Sequence, residues 1–223
     1  MPIYSEGRVL PAQSSGDRNI ANASTAHCTA FSVLGEHSGT RSQAESYTEL
    51  CHQKIEGARS GVTDMQEQVL FTFGRQDERR HFFDMVVTKA SGERIAYTVK
   101  PEARLKSGRH VEEMRSIAWW VQKKGFAKSV RLLTEADIDR VTLHNANINT
   151  ALRDTDPEAQ AAARVVASGL RGAVPLNRLT QQVGLAARGY RALLRLVSAG
   201  ELAPLHYEKI TPETLVEWKG ERQ

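Results

Sequence analysis

Three short runs rich in β-branched and aromatic residues, Val69 to Phe73, His81 to Val87 and Arg94 to Lys100, follow one another closely in the middle of the chain. Such side chains favour a pleated, half-buried surface, and runs this short suit strands better than helices. The last two flank Ser91-Gly92, a turn signal, so they are expected to pair as a hairpin. Pro101 closes the third run because it has no N–H to give to a ladder.

Helical patterns bracket these strands. Tyr47, Leu50, Cys51, Lys54 and Ile55 predict a helix over about 42–58 that ends near Gly57. Met114, Ile117, Ala118 and Val121, at i, i+3, i+4 and i+7, predict a second over 111–124 that ends at Gly125. Ser129 to Leu133 is a further strand, and Thr134 followed by Asp137 has the form of a helix cap. The order describes a mixed α/β domain over about 41–150, preceded by an irregular arm over 1–40 that is rich in Ser, Gly, Asn and Thr. The polar stretch Asn145 to Asp156 marks a boundary, and an alanine-rich helix from Glu158 to Ser168 opens a helical domain over 157–223.

Composition limits the function classes. The 223 residues are 40% hydrophobic and 25% charged, a globular balance, and no apolar run reaches the roughly 18 residues of a membrane helix. The N-terminus has no apolar secretion core, so a soluble cytoplasmic protein without a membrane partner is expected. Cys28 and Cys51 are too few for a disulfide framework and have no zinc-ligand spacing. The net charge of +4 leans toward a polyanionic partner. Six arginines and no acidic residue lie between Arg164 and Arg195, while acidic residues crowd the middle of the chain.

Residues two apart on a strand share a face, so Thr98 and Lys100 point the same way, with Asp84 on the partner strand. A carboxylate on one strand and an acid-x-Lys on the next is how a large class of nucleases holds a divalent ion, with the lysine stabilising charge on the phosphate or the attacking water. Here the middle position is Thr98. A solvated face or an ion pair is the alternative for the same residues. Glu45, Glu49 and Glu56 on the upstream helix supply either a further carboxylate beside the hairpin or an acidic solvent stripe.

Glu45-Ser46-Tyr47-Thr48-Glu49, Glu67-Gln68, His81-Phe82-Phe83-Asp84, Val99-Lys100-Pro101 and Leu132 to Ile138, in this order and spacing over about 41–140, resemble the TnsA-type endonuclease subunit of heteromeric, Tn7-like transposases. The resemblance implies a restriction-endonuclease-like α/β core, a mixed sheet flanked by helices, and a small helical, winged-helix-like C-terminal domain. It implies Mg²⁺- or Mn²⁺-dependent cleavage of DNA at the 5′ ends of a transposon. The implied partners are the transposase subunit that cuts the 3′ ends and the regulatory ATPase of the complex. Glu49, Asp84 and Lys100 match the catalytic positions, with Glu45 the alternative first carboxylate. Glu49, Asp84 and Thr98 match the metal-binding ones. The family usually carries Glu or Gln where Thr98 stands, and Glu102 is a candidate replacement. A catalytically degenerate assembly subunit is the nearest rival reading, and a helix-turn-helix regulator with a ligand-sensing α/β domain is the next.

Pro175 to Val183 and Leu185 to Ala199, separated by Gly184, read as a helix-turn-helix, with Glu201 to Tyr207 as a short wing. Arg188, Arg191 and Arg195 are expected to form a basic stripe against DNA, or else a solvated face or a contact for an acidic protein. Trp119 and Trp120 cannot both be buried on one helix face, so one is expected at an interface.

Overall fold

The computed structural model describes residues 3–5, 8–20, 28–35 and 37–220, and the chain divides into two compact units, 1–139 and 140–223. The first begins with two antiparallel strand pairs, β1 (Ile3–Ser5) with β2 (Arg8–Leu10) and β3 (Ala30–Leu34) with β4 (Thr40–Ala44). The arm expected to be irregular over 1–40 therefore contains strands. They are short, three to five residues each, and in β4 side-chain bonds stand where a sequence pattern would look for apolar alternation. Gln43 donates to Ser14 Oγ (2.9 Å) and accepts from the Ile20 N–H (3.3 Å).

Helix α1 (Tyr47–Gly57) starts five residues later than the spacing predicts, because β4 continues to Ala44 and Ser46 caps the first turn, its Oγ accepting from the Glu49 N–H at 3.2 Å. Its buried face keeps Cys51 and Ile55 of the expected stripe but is otherwise polar: Tyr47 is exposed while His52, Gln53 and Glu56 are buried. Each finds a partner. His52 Nε2 meets Thr134 O at 2.8 Å, Gln53 lies between Ser42 Oγ (2.9 Å) and Gln43 O (3.0 Å), and the Tyr97 O–H donates to Glu56 at 2.9 Å.

Strands β5 (Val62–Phe73), β6 (Arg79–Lys89) and β7 (Arg94–Val99) form an antiparallel meander, followed by the short α2 (Glu102–Leu105), α3 (Arg109–Lys123) and β8 (Ser129–Leu133). β8 lies parallel to β7, so the sheet is mixed, in the order β5-β6-β7-β8, with helices flanking it. One face packs Val69, Phe71, Phe83, Val86 and Ala96 under Met114, Ile117 and Val121 of α3. The other buries Met85, Val87, Ile95 and Tyr97, with α1 joined to it through the Tyr97–Glu56 bond.

Strict alternation would put residues 83, 85 and 87 on one face. Instead Phe83 joins the α3 face and Met85 and Val87 the other; across the ladder Val69 and Met65 divide in the same way. Both reversals fall at one place, Asp84 on β6 and Gln68 on β5, where Gln68 adopts a left-handed φ of 50°. Trp119 is 55% exposed, with the Lys123 ammonium over it at 4.6 Å, and Trp120 packs against the α3-face core.

The second unit begins at α4 (Arg140–Ala151). The polar residues read as marking a boundary belong to it: the Asn145 amide donates to Glu208 O (3.0 Å) and accepts from the Ile210 N–H (3.0 Å). Helix α5 (Pro157–Ser168) is capped by Asp156 and buries Ala159, Ala163 and Ala167, a small-residue stripe against which the other helices approach closely. Then come β9 (Val174–Pro175), α6 (Leu176–Val183), α7 (Ala186–Ser198), β10 (Leu202–Pro204) and β11 (Leu215–Trp218). β11 pairs antiparallel with both β10 and β9. Gly184 ends α6 in a left-handed conformation, and Gly189 lets α7 pass Val183, where a Cβ would stand 3.0 Å from Val183 Cγ1. Among the described residues no helix is long and apolar enough to cross a membrane.

Candidate active site

Ser46 and Glu49 cap α1 reciprocally. The Ser46 Oγ–H donates to Glu49 Oε1 (3.0 Å), and Glu49 Oε2 reaches past the cap to accept from the Glu45 N–H (2.9 Å). Glu45 therefore precedes the helix and is not an i, i+4 neighbour on its face, as the spacing had suggested. A capping glutamate ordinarily sits in solvent at a favourable helix N-terminus. Glu49 is 7% exposed, and burial, followed by the charge of Asp84, pushes its carboxyl up to about 7.

Asp84 stands where β6 reverses its faces, 4% exposed, with Oδ2 accepting from the Val99 N–H at 2.7 Å. The side chain thus continues the β6–β7 pairing beyond the backbone pair Met85–Tyr97. Burial raises its pKa; the Lys100 charge and the Val99 hydrogen bond pull the other way. Lys100 follows β7, its backbone N–H held by Leu133 O at 2.9 Å. Among the described residues its ammonium makes no hydrogen bond or ion pair, so its charge acts on Asp84 and on His81 through space. The fold brings Glu49 to Asp84 and Asp84 to Lys100.

Thr98 has a different partner. It is 1% exposed and its Oγ1 lies 3.0 Å from His81 Nε2; His81 packs edge-on against Phe83 of the α3 face. Burial, then the Lys100 charge, lowers the His81 pKa to about 4, so the ring is neutral. The expected third oxygen ligand is thus the partner of a histidine, because strand alternation carries Thr98 to the α3 face with Ala96 while Glu49 comes from α1 on the other. Glu102 is exposed on α2, its N–H donating to Glu135 at 3.0 Å.

Two residues outside the expected set border the pair. Arg18 Nη2 binds Glu45 Oε1 (2.9 Å) and Arg18 Nε donates to Gln68 Oε1 (2.8 Å). The sequence carried no sign of Arg18, which arrives from the N-terminal segment. The Ser46-x-x-Glu49 capping pattern, by contrast, was there to be read.

Two buried carboxylates that repel each other, beside an ammonium with no partner among the described residues, make a donor set suited to a hard divalent cation, since Mg²⁺ is commonly held by one or two carboxylates plus substrate phosphate. Among the described residues no group of three or more His, Cys, Asp or Glu side chains is placed to hold a metal without such help.

The arginine stripe of α7 turns onto its own unit. Arg188 binds Asp156 through two bonds (2.7 and 2.9 Å) and Glu158 through a third (2.6 Å). Arg191 donates to Ala151 O (2.8 Å) and Arg195 to Leu152 O (3.1 Å). The three guanidiniums expected at DNA hold the end of α4 and the start of α5. Position on the helix was legible, but not the carbonyls and carboxylates that the preceding turn presents to it. No protein-family model matches the chain, and no curated protein matches it in sequence.

Proposed function

We propose that the protein is the endonuclease subunit of a heteromeric transposase, of the TnsA type, hydrolysing phosphodiester bonds of DNA at the 5′ ends of the transposon. The observation that carries this reading is electrostatic and geometric together: the charge of Asp84, buried midway along β6, bears on buried Glu49 in the first turn of α1, and the charge of Lys100, just past β7, bears on Asp84, while the Lys100 ammonium has no partner among the described residues. The meander with a parallel fourth strand is in keeping with a restriction-endonuclease-like core. The order helix, β9, α6, α7, β10, β11 in the second unit is in keeping with a winged helix.

Glu49 and Asp84 are the residues that would hold Mg²⁺ or Mn²⁺. Bound there, the ion would supply positive charge against the phosphate and lower the pKa of water. The Val99 N–H fixes one oxygen of Asp84, and Ser46 with the Glu45 N–H fixes both oxygens of Glu49, so neither carboxylate must reorganise. Lys100, tied by its backbone to Leu133, sets its ammonium against negative charge that develops on the phosphate. Thr98 holds neutral His81 and takes no part as a ligand. The second unit, whose α7 arginines are engaged internally, is assigned to the regulatory ATPase, and the subunit that cuts the 3′ ends completes the assembly.

Incubation of the full chain and its partner subunits with transposon-end DNA in Mg²⁺ or Mn²⁺ tests the proposal. The expected result is cleavage at the 5′ ends that Asp84→Asn abolishes. Failure of the wild type to cut in either metal would leave the degenerate-subunit reading in its place.

A further inference from the structure

We propose that Arg18 and Gln68 form a phosphate-binding subsite beside the Glu49–Asp84 pair, taking one phosphodiester group of a nucleic-acid strand; this rests on the nuclease reading of that pair. Residues 14–18 lie on β5 as a strap. Asp17 donates its N–H to Gln68 O (3.2 Å) and accepts from the Leu70 N–H (2.7 Å), so the strap is anchored on both sides of Gln68. Ser14 Oγ donates to Glu67 Oε1 at 2.5 Å, and Gly16 comes so close that a Cβ would stand 3.0 Å from Glu67 O. These anchors hold Arg18, with its guanidinium over the Phe82 ring at 4.5 Å.

Arg18 gives Nε to Gln68 and one Nη2 donor to Glu45, which leaves three of its five N–H groups unused by the described chain. Gln68 is completely buried, and its Nε2 has no partner among the described residues. The amide cannot be turned to escape this, since Oε1 must face the Arg18 Nε donor. A buried amide donor left unpaired is costly, and the left-handed φ of 50° at a glutamine is a second strain at the same residue. Both lie at the reversal that also places Asp84.

A cationic fork and a neutral N–H donor, joined side by side by the 2.8 Å bond, need an acceptor-only anion. Next to two carboxylates, such an anion is held only if it shares the cation that those carboxylates bind. A backbone phosphate meets that condition, with one oxygen toward the ion and others toward Arg18 and Gln68.

Affinity of the full chain for a short DNA duplex, measured in Ca²⁺ over a range of salt, tests the subsite. Arg18→Gln should weaken binding about tenfold and flatten the log–log salt slope by about 0.9, the value of one phosphate contact. Arg18→Lys keeps the charge and should restore the slope. Gln68→Asn keeps a residue tolerant of left-handed φ but withdraws the amide, and should weaken binding about tenfold with the slope unchanged. A wild type that binds while Arg18→Gln matches it in affinity and slope overturns the subsite alone. A wild type that binds no DNA in any metal overturns the nuclease reading, and the subsite with it.

Discussion

Replacing Glu49 by Gln should stabilise the metal-free protein at neutral and alkaline pH, which is the reverse of what loss of a buried hydrogen-bonded carboxylate ordinarily does. Glu49 is 7% exposed, and its pKa rises from the ordinary 4.5 to about 7, chiefly through burial and then through Asp84. A rise of that size corresponds to roughly 3 kcal/mol. The sign follows from proton affinity. Below about pH 4 folded and unfolded chains both hold the proton, and the penalty is absent. As pH rises, the unfolded chain releases the proton first, so stability falls until the folded carboxyl has also ionised above about 7. Glutamine removes this slope while keeping the local bonds, its carbonyl accepting from the Glu45 N–H and its amide donating to Ser46 Oγ. Urea unfolding with a chelator, followed through Trp119 and Trp120 in a Trp218→Phe background, isolates the first unit. Near pH 5 the variant and its parent should be close in stability; near pH 8 the variant should be the more stable by roughly 3 kcal/mol. A variant less stable by the same margin at both pH values would refute the reasoning, because it would make Glu49 an ordinary helix cap.

Arg188→Ala should lower the melting temperature of the second unit and leave the DNA affinity of the chain unchanged, since its guanidinium is bound to Asp156 and Glu158. Arg188, together with the α5 cap, holds the Asp156 pKa down to about 2, so its stabilisation is present above about pH 4 and lost as pH falls toward 2; acid melting curves should show that dependence weakened in the variant. Thr98→Val, which leaves His81 without its hydroxyl partner, should cost about 1–2 kcal/mol in urea unfolding and retain cleavage that Asp84→Ala abolishes. Gly189→Ala should destabilise the second unit by about 1–3 kcal/mol, because the new methyl would stand 3.0 Å from Val183 Cγ1 and one of them must shift.

Strand runs, glycine stops and the turn at Ser91-Gly92 were legible because each is set by local chemistry, and β6, β7, β8 and α3 lie close to where those signals put them. The polar face of α1 was not legible. His52, Gln53 and Glu56 are buried because Thr134, Ser42, Gln43 and Tyr97 meet them, and two of those four, Thr134 and Tyr97, come from far enough along the chain to leave no pattern. β7 alternates regularly and carries Thr98 with Ala96 to His81 on the α3 face, whereas Asp84 sits at a face reversal of β6 that no period of two shows. The partners of Arg18 and of the α7 arginines were not legible for one shared reason. A guanidinium is long and flexible, and its partner is chosen by the tertiary fold.

Calorimetric titration of Mn²⁺ into the full chain near pH 6.5, in two buffers of different ionisation heat, tests the two-carboxylate site most directly. Glu49, with a pKa of about 7, is largely protonated there, so an ion that binds it must displace a proton. The expected result is one ion per chain with net proton release, the release absent in Glu49→Gln and the binding absent in Asp84→Asn. Mn²⁺ binding that persists undiminished in Asp84→Asn, or no binding at all in the wild type, would contradict the site.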